Sequence, residues 1–104
     1  MPLIPPRITG PTLKVLKELI QRPVEEMSGA EIARSTGLAS GTLYPILFRL
    51  ERSGWLSSHW EEINPSDVGR PRRRLYRLTG LGESAARCAF REHLPLASQL
   101  GWQP

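Results

Sequence analysis

Between Ser28 and Gly54 the sequence encodes two amphipathic helices with only Leu38 and Ala39 free to join them, and so short a joint leaves few ways to arrange the rest of the chain. Ser28 followed three residues later by Glu31 predicts a capping box, hydroxyl and carboxylate each satisfying a free amide at the start of a helix over about 29–36. Ile32 and Ala33 face inward, and Gly37 supplies the left-handed residue that closes the helix. Ser40 opens the next helix, in which Leu43, Leu47 and Leu50 make one apolar stripe, Ile46 widens it and Gly54 stops it. Pro45 is discordant there. It removes one backbone bond and crowds the Gly41 carbonyl, so a loosened or tightened first turn is expected. Two helices on so tight a turn predict a helix-turn-helix.

The flanking segments complete the pattern. Pro2, Pro5 and Pro6 favour an extended N-terminal arm over residues 1–8. Leu13, Leu16, Leu19 and Ile20 recur at helical spacing, with Thr9 or Gly10 as cap, Pro11 in the first turn and Pro23 at the end, giving a first helix over about 11–22. After Gly54 the pattern becomes strand-like over Trp55 to Ile63 and again over Arg73 to Leu78, around a turn-rich segment from Asn64 to Pro71. This reads as a hairpin with a basic loop projecting as a wing. If Leu56 faces Leu78, Glu61 falls near Arg73 and Glu62 near Arg72. Thr79 caps a fourth helix over about 80–93, with Leu81, Ala85, Cys88 and Ala89 on one face and Ala86 and Phe90 on another. That apolar width exceeds what one contact needs. Cys88 is read as buried. Pro95 kinks or ends the helix, and Leu96, Ala97 and Leu100 form a short stripe before Trp102. The expected fold is mainly α with a small β-hairpin: a winged helix-turn-helix over 9–79 and a C-terminal dimerisation helix and tail over 80–104.

In a helix-turn-helix the second helix enters the major groove, so its N-terminal and solvent-facing residues meet base edges and phosphates. Here those are Ser40, Gly41, Thr42 and Tyr44, with Arg49 further along to hold the backbone. Thr42 has a hydroxyl for a base and a methyl for a thymine, and Tyr44 reaches a phosphate. The alternatives are that Ser40 only caps the helix and that Tyr44 fills a gap between helices. Five arginines lie between positions 70 and 77, and the forked guanidinium suits phosphate. On a proline-stiffened tip, Arg70 and Arg72 are the residues expected in a minor groove, while the hairpin register makes Arg73 the one that an ion-pair ladder also explains.

A formal charge of +4 over 104 residues agrees with an anionic partner, and 39% hydrophobic residues suffice for one core. A single cysteine rules out an intrachain disulfide and no apolar run suits a membrane span, so a soluble cytoplasmic protein is expected. His59, His93 and Cys88 form no recognisable metal signature, no glycine-rich phosphate loop follows a strand, and no serine has a base in a catalytic pattern. Neither an enzyme nor a cofactor is expected. Against DNA binding stand two other readings: a winged-helix module that docks protein, which calls for apolar residues on the exposed face of the third helix, and a switch whose main purpose is sensing an effector.

The stretch SGAEIARSTGLASGTLYPILFRLERSGWL, followed by GRPRRRLYRLTGLGE, resembles the PadR family of bacterial transcription regulators from about residue 12 to residue 90. Gly41-Thr42-Leu43-Tyr44-Pro45 with Leu50-Glu51, and Gly69-Arg70-Pro71 leading to Tyr76-Arg77-Leu78-Thr79, carry the likeness. The resemblance implies a winged helix, a homodimer held by the C-terminal helix and often the N-terminal one, and a palindromic double-stranded DNA operator, usually in repression. It puts Ser40, Gly41, Thr42, Tyr44 and Pro45 at the DNA face and Arg70 and Pro71 at the wing, and it implies that Pro45 is tolerated within the helix. Some members bind small aromatic effectors between subunits; here only Phe90 and Trp102 supply rings for such a pocket.

Overall fold

The computed structural model describes residues 6–22 and 25–101. Helix α1 (Gly10–Ile20) starts where Thr9, in extended backbone, accepts the Thr12 amide on its hydroxyl, with Pro11 in the first turn. Pro23, expected to end this helix, lies outside the described residues, as do Trp102 and most of the N-terminal arm. The capping box forms as expected: Ser28 Oγ accepts from the Glu31 amide and Glu31 Oε1 from the Ser28 amide, each at 3.2 Å. Helix α2 (Gly29–Thr36) ends on Gly37 at φ 74, and α3 (Ser40–Arg52) follows at once.

Strand β2 (Leu56–Trp60) and strand β3 (Arg74–Leu78) pair antiparallel with Leu56 opposite Leu78, the register inferred from sequence. The sheet has a third strand that the sequence pattern does not signal. β1 (Met27–Ser28) pairs with the other edge of β3, Met27 opposite Tyr76, so the sheet order is β1-β3-β2. Two residues carry no periodicity to read, and the extended backbone of Ser28 (φ −73, ψ 158) serves as helix cap and strand end together. The wing also contains one helical turn, α4 (Pro65–Val68), capped by Asn64 and closed by Gly69 at φ 69.

One core joins these elements. Leu13, Leu16 and Leu19 of α1, Ile32 of α2, and Leu43, Leu47 and Leu50 of α3 are essentially inaccessible to solvent, with Leu56 and Leu78 from the sheet. Helix α5 (Gly80–Glu92) lies on α1 and adds Ala86, Ala89 and Phe90. Its inward face corrects the sequence reading: Leu81 is 54% exposed and Cys88, expected to be buried, is exposed. The reason is close approach. Gly82 lies against the carbonyl group of Trp55, with a Cβ there only 2.7 Å from the Trp55 carbonyl carbon, so the first turn of α5 admits only glycine inward and Leu81 turns out. Helix α6 (Leu94–Gln99) restarts after His93, with Pro95 in its first turn and Ala97 buried.

Candidate nucleic-acid interface

The two flanks of α3 divide the expected contacts. Its stripe Leu43, Ile46, Leu47 and Leu50 is in the core, which leaves Ser40, Gly41, Thr42, Tyr44, Pro45 and Arg49 exposed. Ser40 does not cap the helix. Ala39 occupies the cap position, with no side-chain acceptor, and Ser40 is the first helical residue. The first-turn amides of α3 therefore have no side-chain cap, an arrangement that suits an anion. The helix continues through Pro45, and a Cβ at Gly41 would meet nothing within 4 Å.

Tyr44 fills the gap between α2 and α3 and still reaches solvent. It is 46% exposed, yet its ring lies over Gly29 at the start of α2, where a Cβ would come within 2.8 Å of its Cε1. A side chain at Gly29 would press on this ring.

The wing is held by one carboxylate. Glu61 accepts from Arg70 Nη1 at 2.7 Å and Nη2 at 3.1 Å, and from the Arg73 amide at 2.9 Å, while its own amide donates to the Arg73 carbonyl. Hydrogen bonding from Arg70 holds the Glu61 carboxyl down at about 2. Arg70 is therefore engaged within the wing, also donating to the Pro71 carbonyl. Arg72 Nε donates to the Ile63 carbonyl at 2.9 Å; Arg72, Arg73 and Pro71 are exposed. The expected neighbourhood of Glu61 and Arg73 is present, but through the backbone of Arg73.

Sequence reasoning overlooked an aromatic group. Trp60, 57% exposed at the end of β2, has the Arg74 guanidinium 5.3 Å above its ring. Arg74 Nε also donates to Ser58 Oγ, whose hydroxyl donates to Glu51. Burial raises the Tyr76 phenol pKa, and the Glu51 charge adds to this. A cleft of about 540 Å³ is bordered by Tyr44, Trp60 and Tyr76 together with Arg72, Arg73 and Arg74, so the Tyr44 flank of α3 and the basic wing share one face. Only the register of β2 against β3, read together with the face of Tyr44, could have signalled it. At the far edge of the sheet, His59 Nε2 lies 2.6 Å from Glu26 Oε2 and its Nδ1 3.0 Å from the Trp60 carbonyl; that carbonyl first, and then Glu26, raise its pKa.

Residues 15–87 match the model of the transcriptional regulator PadR-like family. The chain belongs to that family. Among solved structures, the PadR-like chain is similar to a PadR-like transcription factor from Bacteroides fragilis, 26% identical with TM-score 0.65 over 86% of this chain and 85% of that one. It also resembles AbfR of Staphylococcus epidermidis in its disulfide form, 28% identical with TM-score 0.64 over 81% of this chain. The PcaV regulator of Streptomyces coelicolor, solved with its natural ligand, is 26% identical with TM-score 0.64 over 82% of this chain. The PadR-like chain spans 56% of the AbfR chain and 55% of the PcaV chain. No curated protein matches it. Of the two rings named for an effector pocket, Phe90 is fully buried in the core and Trp102 lies outside the described residues. No helix among the described residues is long and apolar enough to cross a membrane.

Proposed function

We propose that this PadR-like regulator binds a palindromic DNA operator as a homodimer, each copy laying α3 in a major groove and its wing along the flanking minor groove, and that occupancy represses transcription. The observation that carries this reading is the shared face: Tyr44 of α3 and Arg72, Arg73 and Arg74 of the wing border one cleft. On that face Ser40 and Tyr44 supply donors beside the open N-terminus of α3, and on the opposite flank of the helix Thr42 supplies a hydroxyl for base edges and Arg49 a cation further along. Gly41 and Pro45 keep the helix slim where DNA comes close. Arg72 and Arg73 contact phosphate, whereas Arg70, paired with Glu61, shapes the wing that presents them with Pro71.

The test is selection of bound duplexes by the purified chain, followed by binding at several salt concentrations. Replacing both Arg72 and Arg73 by Ala is expected to weaken binding to every sequence and to lower the log–log salt slope by about 0.9 for each phosphate that is no longer neutralised. Thr42→Ala weakens binding selectively at one base position, by about 1–3 kcal/mol. Binding without salt dependence, or an unchanged slope in the double variant, overturns the reading.

A further inference from the structure

At 3.6 residues per turn, the positions of α3 opposite its buried stripe are Gly41, Phe48 and Arg52, with Pro45 beside them. Phe48 is therefore central on the outward face, not on its margin. It is 62% exposed, more than Tyr44, Trp60 or any other large hydrophobic side chain described. Nothing in the core requires a phenyl group there. A cation lies over it, the Arg52 guanidinium 5.6 Å from the ring centroid.

The surroundings of the ring define what it fits. Along its own face Phe48 has Gly41, Pro45 and the cation Arg52, with Arg49 on the next flank, and on the wing side it borders a cleft with Tyr44, Leu47, Glu51, Arg74 and Tyr76. An exposed ring central on a helix that also carries Arg49 and Arg52 suits a polyanion that displays isolated apolar groups. The major groove of DNA is such a surface: phosphates line it, and its apolar feature is the 5-methyl group of thymine.

We propose that Phe48 reads a thymine methyl in each operator half-site, with Arg52, held over the same ring, directed to the adjoining phosphate. This rests on the DNA-binding reading above and adds to it a specificity contact about two turns beyond the helix tip. Thr42 and Arg49 lie on the other flank of α3, so the Phe48 contact is separate from theirs.

The experiment replaces each thymine of the selected operator singly by deoxyuracil, which deletes the methyl and leaves every hydrogen-bonding edge intact. For the full chain, one position per half-site is expected to lose about fourfold in affinity, the worth of burying one methyl-sized group. Phe48→Ala is expected to show that loss already on the thymine duplex and no further loss with deoxyuracil. Phe48→Leu retains part of the discrimination. Because Phe48 is outside the core, thermal unfolding of both variants serves as the folding control and should stay close to that of the parent. Equal deoxyuracil sensitivity in the parent and Phe48→Ala assigns the methyl to another residue and overturns the proposal. So does Phe48→Ala that leaves DNA affinity intact, the result expected of a protein-docking ring. Absence of DNA binding by the unsubstituted chain would instead sink the underlying reading, and it is seen before any base is replaced.

Discussion

Glu61 binds the wing at three points, two from the Arg70 fork and one from the Arg73 amide. The consequence is a pH response of defined sign. Its folded-state pKa, about 2, lies below the ordinary glutamate value of 4.5, so its contribution is fully present above about 4.5 and is lost as pH falls through about 2. His59 acts in the opposite sense. Its pKa is raised from 6.5 by the Trp60 carbonyl and Glu26, so its contribution is complete below 6.5 and disappears as pH rises through the higher folded value. Comparing thermal unfolding of the parent with Glu61→Gln from pH 7 to pH 2 checks the first: the difference should be constant above about pH 5 and shrink towards zero near pH 2. A difference that persists unchanged at pH 2 means that the carboxylate is not the anchor. The proximity of Glu61 to Arg73 was legible because strand register follows from alternation. The Arg70 pair was not, since it depends on the chain folding back at Gly69, whose φ of 69 no side-chain pattern announces.

Two glycines on helices should respond to the same substitution in opposite directions. At Gly82 a Cβ would press on the backbone of Trp55, and that backbone cannot yield easily because Thr79 donates to both the Gly54 and Trp55 carbonyls. Gly82→Ala is therefore expected to destabilise by about 1–3 kcal/mol through overpacking, measured as a drop in unfolding midpoint. At Gly41 the backbone is ordinary helix and the space is open. Gly41→Ala should stabilise by up to about 1 kcal/mol, since alanine is the better helix former, while weakening operator binding at the approach of DNA. Stabilisation with unchanged affinity would remove Gly41 from the interface. Elements were legible wherever local chemistry specified them: Thr9, Ser28 and Thr79 each cap a helix, and Gly37 closes one. What escaped depended on distant partners. The inward face of α5 is set by the Trp55 carbonyl and the place of Tyr44 by Gly29. The spacing of Cys88 with Leu81 and Ala85 points to an apolar stripe; the stripe is real, and it belongs to the outside.

At the scale of the molecule, that outer stripe is apolar surface left uncovered away from the α3 and wing face. Helix α1 has none to offer: Leu13, Val15, Leu16, Leu19 and Ile20 all go to the core. On α5, Leu81, Ala85 and Cys88 recur at the i, i+4, i+7 spacing of a helix seam, and Leu94 and Leu96 are also exposed, at 42% and 36%. A second copy would cover such a seam symmetrically, each α5 meeting the other, and a two-fold dimer brings two recognition helices to successive major grooves about 34 Å apart. Leu81→Glu buries a charge in that seam but disturbs no core contact, so the variant should keep its unfolding behaviour as a monomer while its sedimentation falls to that of one chain at micromolar concentration. Its affinity for a full palindrome should drop at least tenfold, with a half-site bound as before. Cys88 gives an independent readout: exposed on the single chain, its thiol should react more slowly with a maleimide as protein concentration rises through the dimer range. Sedimentation of Leu81→Glu as two chains, together with a labelling rate independent of concentration, would move the interface away from α5.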